Sequence, residues 1–118
     1  MTKNISNKMY TLNLTPVYAV VTYLNSKKLS QEVLEEVRTI LKEYFNGKKF
    51  ILINQRKDDI DIEPTFYKSG LDNMIAVAVV SEDDSQREKL ITEQENWKGS
   101  FAFFKTIEDA KQWAEHYF

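Results

Sequence analysis

The stretch Phe101-Ala102-Phe103-Phe104-Lys105-Thr106-Ile107-Glu108-Asp109-Ala110-Lys111-Gln112-Trp113-Ala114-Glu115-His116-Tyr117-Phe118 decides how this chain is read. Its first four residues form an apolar run of strand type. Thr106 and Asp109 stand three apart, the spacing at which a threonine hydroxyl caps a helix start and an acid answers it. From Ile107 onward, Ala110, Trp113, Ala114, Tyr117 and Phe118 fall on one helical stripe. The expectation is a short buried strand followed by a docked helix, with Trp113 and its stripe holding the sheet closed. This ending speaks to architecture and carries no chemistry.

Working back from it, strand and helix patterns alternate. Met9 to Leu14 alternates apolar and polar residues, as a strand covered on one face does. Thr15-Pro16 is too short a break for a crossover, so antiparallel pairing with the next strand is predicted. Val17 to Leu24, Phe50 to Ile53, Ile75 to Val80 and Phe101 to Phe104 are apolar on both faces, the mark of strands sandwiched between helix layers. Ser30 reads as a helix N-cap, with Leu29 and Leu34 placed as a hydrophobic staple. Val33, Val37, Ile40, Leu41, Tyr44 and Phe45 form the core stripe of that helix. A short helix is predicted from Pro64 and another from about Ser85 to Trp97. Gly47, Gly70 and Gly99 then all follow helices, where a left-handed residue ends the turn, and no glycine-rich phosphate loop remains. The predicted order β-β-α-β-α-β-α-β-α corresponds to an α/β fold. It has one mostly parallel sheet of about five strands, an antiparallel first strand, and about four helices on both faces.

Composition narrows the function classes. The 118 residues carry 42% hydrophobic and 13% aromatic content, enough for one core, so a single domain over residues 9–118 is expected behind a polar, flexible tail at 1–8. With 16 basic and 18 acidic residues, the formal charge of −2 supplies no field for nucleic acid or anionic membrane. The absence of cysteine removes disulfides, thiolate catalysis and cysteine-ligated metals. Met1 to Lys8 lacks a signal-peptide apolar core, and no run of roughly 18 apolar residues spans a bilayer, so a cytoplasmic protein is expected.

The run Met74-Ile75-Ala76-Val77-Ala78-Val79-Val80, together with Phe103-Phe104-Lys105-Thr106-Ile107-Glu108-Asp109-Ala110-Lys111-Gln112-Trp113, resembles the SpoIIAA-like branch of the STAS superfamily, related in fold to SEC14-type lipid-binding domains. The resemblance covers residues 9–118 in layout and the last third in recognisable residues. It implies a non-enzymatic regulatory or protein-interaction domain. Antagonists of that family present a phosphorylatable serine after an aspartate at the turn leaving the central strand. Here that turn reads Ile53-Asn54-Gln55-Arg56-Lys57-Asp58-Asp59 and has no hydroxyl. Thr65 and Ser69 lie well beyond it and read as a helix-start and a helix-surface residue. A phosphoryl-receiver reading is met only by Lys105, since Asn54-Gln55 and Asn25 stand where carboxylates would hold magnesium.

The remaining candidates are surface features. If extended, Asp58-Asp59-Ile60-Asp61-Ile62-Glu63 puts Asp59, Asp61 and Glu63 on one side and the isoleucines on the other, at a strand's C-terminal end. Glu82-Asp83-Asp84 emerges at the same edge. Such acids serve a basic partner better than a metal, because alternating loop carboxylates are solvated and repel one another. Asp58, Asp59, Asp61 and Glu63 are therefore the candidate interaction surface. Phe66, Tyr67 and Trp97 are candidates to line an apolar pocket, the alternative function being a small apolar-ligand or lipid-binding protein at a membrane surface. His116, the only histidine, reads as a cation near a helix C-terminus. No catalytic triad, histidine cluster or paired acid stands out. The expected partner is another protein or a small apolar ligand, with homo-oligomerisation open, and without nucleic acid, metal or cofactor.

Overall fold

The computed structural model describes residues 2–24, 31–56, 71–82, 91, 95, 97 and 99–118. It is α/β, as expected, but the described residues form six strands rather than about five: β1 (Lys3–Ser6), β2 (Tyr10–Leu14), β3 (Tyr18–Tyr23), β4 (Phe50–Gln55), β5 (Met74–Val80) and β6 (Ser100–Phe104). Two helices lie wholly among the described residues, α1 (Gln31–Phe45) and α2 (Ile107–Tyr117). Of the four expected, the one from Pro64 lies outside them, and of the Ser85 to Trp97 helix only Ile91 and Glu95 are seen in helical conformation.

The extra strand comes from the polar start of the chain. Asn7 turns it back: its Oδ1 accepts from the backbone N–H of Met9 (2.8 Å) and Tyr10 (3.0 Å), an Asx turn that sets Lys3–Ser6 antiparallel to β2. Ile5 alone packs on the core, and Asn13 Nδ2 donates to Asn4 Oδ1 at 2.6 Å. A short polar edge strand bearing a lysine also shields the sheet from further pairing. The Thr15-Pro16 turn behaves as expected. Thr15 Oγ1 accepts from Tyr18 N–H at 3.0 Å, and β2 runs antiparallel to β3.

The six strands lie in the order β1-β2-β3-β4-β5-β6, the last four mutually parallel. Right-handed crossovers between neighbours that always advance in the same direction return over the same face of the sheet. The packing agrees. The core on that face joins Leu34, Val37, Leu41 and Phe45 of α1 to Leu12, Val21, Leu52 and Val77, and also holds Leu71 and Trp97, which precede β5 and β6. α2, coming after the last strand, covers the other face. Both faces are thus covered, but the strand order never reverses among the described strands, so there is no topological switch point to open a crevice.

Small side chains seat α2. Ala76 and Ala78 of β5 and Ala110 and Ala114 of α2 are fully buried together, with Ile51, Ile53 and Val20 around them. Thr106 caps the helix from an extended conformation, its Oγ1 accepting from Asp109 N–H at 3.3 Å. α1 ends at two left-handed residues, Asn46 (φ 46°) and Gly47 (φ 85°). Gly99 departs from the expectation that Gly47 meets, while Gly70 lies outside the described residues. The φ of Gly99 is not left-handed, and it is small because Ile75 O and the Trp97 indole crowd it.

Candidate functional site

The parallel strands end level with one another, Thr22 beside Gln55 and Gln55 beside Val80. On the α1 side of that edge the core turns polar. β4 continues Phe50 and Leu52 with Asn54, which is 2% exposed between Val21 and Val79, and then with Arg56, also buried. Asn54 Oδ1 has no hydrogen-bond partner among the described residues. Arg56 N–H donates to Val80 O at 2.8 Å, tying the strand end down. Tyr23 lies fully within the core across from Tyr10, and the Tyr10 hydroxyl donates a hydrogen bond to the Glu36 carboxylate of α1. On the opposite face Thr22 Oγ1 donates to Gln55 Oε1 at 3.2 Å.

Burial raises the Tyr23 phenol far above its ordinary value of 10.0; the nearby Arg56 charge opposes this and Tyr10 adds to it. Tyr10 is also raised, first by burial and then by its bond to Glu36. The folded protein therefore keeps these protons at a pH where the unfolded chain has released them. That stabilisation is complete below about pH 10 and is lost as pH climbs above it. Tyr23→Phe is expected to flatten the alkaline fall in the urea midpoint between about pH 9 and about pH 11. An equally steep fall in the variant would show that another group sets it.

Six of the candidate residues, Asp58, Asp59, Asp61, Glu63, Phe66 and Tyr67, lie outside the described residues, as do Thr65, Ser69, Asp83 and Asp84. Trp97 is part of the α1-side core, 7% exposed, and its indole N–H donates to Ser100 O at 3.0 Å. Lys105 is exposed beside the cap of α2. Among the described residues no group of three or more His, Asp or Glu is gathered to hold a metal ion, and no helix is long and apolar enough to cross a membrane.

A second feature was not legible beforehand. The stripe of α2 is buried only at its alanines; Tyr117 is 39% and Phe118 56% exposed, and β6, the last strand of the sheet among the described residues, is half-buried rather than buried. Phe104, Asp109, Gln112, Trp113, His116 and Tyr117 line an open cleft of about 520 Å³ there. The aromatic stripe was the available signal. Its width relative to the sheet beneath it depends on which strand is last in space.

No family model, no curated protein and no solved structure matches this chain. Its two sites are therefore read from their own geometry.

Proposed function

We propose that this chain is a non-enzymatic protein-interaction domain of SpoIIAA-like type, acting through the edge at which β3, β4 and β5 end. The supporting observation is the buried polar layer of Asn54, Arg56, Tyr23 and Tyr10 with Glu36, at the foot of the connection that carries Asp58, Asp59, Asp61 and Glu63. A contact surface gains affinity when its base is already ordered, because less conformational freedom is lost on binding. Arg56, held to Val80 and buried, gives the acidic connection such a base one residue before it begins at Lys57. The acids themselves favour a partner with a basic patch, through faster encounter and through register. The layout of β2, β3, α1 and β4 and the capped turn at Thr106 support the family type, while the turn after β4 lacks the hydroxyl of a phospho-switch.

Changing Asp59, Asp61 and Glu63 together to serine is expected to abolish capture of the partner from cell lysate. Capture by the wild-type chain should weaken as salt rises, since exposed charges are screened over about 10 Å at 0.1 M. An unchanged set of captured proteins, with the variant still folded by circular dichroism, would refute the assignment of this surface.

A further inference from the structure

We propose that the cleft between α2 and the end of β6 binds a small organic ammonium cation. This site lies on the sheet face opposite α1 and is independent of the edge proposed above. Three rings form its wall. Phe104 and Trp113 have centroids 5.6 Å apart at 50°, and Trp113 and Tyr117 are 5.3 Å apart at 67°, so Trp113 stacks flat on neither neighbour. An aromatic face carries the negative part of the ring quadrupole, and a cation within about 6 Å of the centroid is attracted to it.

Counting Asp, Glu, Lys and Arg, the cleft offers a single charge, and it is negative. Asp109 is the one carboxylate among the described lining residues, and no lysine or arginine is among them. Its backbone is held by the Thr106 cap, which fixes where the carboxylate starts from. His116 Nδ1 lies 2.8 Å from Gln112 O; a carbonyl only accepts, so Nδ1 carries a proton and the ring is held against the helix. Tyr117 is anchored through its hydroxyl to Ser100 Oγ at 2.8 Å, which steadies the ring that forms the far wall. A neutral apolar ligand would use the rings and ignore Asp109. A cation uses both, and a methylated ammonium adds apolar contact with the ring faces.

The test uses the full chain labelled with nitrogen-15 and titrated with choline chloride at low salt. The two indole N–H resonances, assigned with Trp113→Phe, separate the cleft from the core, because Trp97 is buried on the other face. The Trp113 signal is expected to move saturably and the Trp97 signal to stay in place. The uncharged isostere 3,3-dimethylbutan-1-ol should bind at least about fivefold more weakly, and Asp109→Asn should weaken choline about three- to tenfold, the range of a partly exposed cation–π site with one carboxylate. Glu108→Gln, which removes a neighbouring acid outside the cleft, should change affinity by less than about twofold. Equal binding of choline and its isostere, an equal loss on Glu108→Gln, or no saturable shift would overturn the proposal. Pelleting of the protein with phosphatidylcholine vesicles would assign the cleft to a lipid headgroup and overturn its assignment to a free cation.

Discussion

Phe50→Ala is expected to destabilise the protein by about 3–5 kcal/mol and to lower its thermal midpoint by about 10–20 °C. Phe50 is fully buried at the start of β4, and its ring stacks on Phe45, the last residue of α1, at 4.1 Å between centroids and 4° between planes. Tyr44 meets Phe45 edge-on at 4.9 Å. Phe50 N–H also donates to Asn73 O at 3.0 Å, just where the β4–β5 register shifts between Phe50 and Ile51. One residue thus joins the end of α1 through its ring and the irregular start of the β4–β5 ladder through its backbone. Truncation leaves a cavity that these anchored segments cannot collapse to fill. Differential scanning calorimetry gives the measurement, and a fall of less than about 3 °C would mean that the site repacks. Choline binding by the variant below its melting point should persist, because the cleft lies across the sheet from Phe50.

The second large effect is expected at a glycine whose backbone is ordinary. A Cβ on Gly99 would stand 2.7 Å from Ile75 O and 2.9 Å from Trp97 Nε1. The first atom is backbone of β5, and the second belongs to a buried ring whose N–H is committed to Ser100 O, so neither moves cheaply. Gly99→Ala is expected to lose about 2–3 kcal/mol, with urea unfolding as the readout. Gly47→Ala provides the contrast. Gly47 has φ +85° but nothing within 4 Å of the added methyl, so its cost is conformational, about 1 kcal/mol. Gly99→Ala proving the milder of the two would overturn the steric account.

The residues that were legible in advance share one property: their signals are local. Thr106 and Asp109 announce a cap within one turn, and the apolar spacing of Val37, Leu41 and Phe45 announces the buried face of α1. Other features were missed for the complementary reason. Lys3–Ser6 is too polar to read as a strand, because it contributes backbone pairing and a single apolar side chain to the core. Gly99 reads as a helix exit until Ile75, 24 residues earlier, is seen against it. The polar layer at Asn54 and Arg56 reads as the turn leaving the central strand, and its burial emerges only in the folded sheet, where Val21 and Val79 flank Asn54.

The ending from Phe101 to Phe118 divides the two contributions most clearly. Sequence alone determined that a strand, a capped turn and an amphipathic helix follow one another there, since backbone hydrogen bonding and side-chain periodicity act over a few residues. Tertiary structure decided that, among the described residues, β6 is the last strand of a sheet whose order does not reverse, and that α2 packs on the face opposite α1. With no further described strand beyond β6, Trp113, Tyr117 and Phe118 reach past the alanine seat at Ala110 and Ala114. Pairing order is set by contacts between residues far apart in the chain, so no local pattern foretold that this aromatic stripe would form the wall of a cleft.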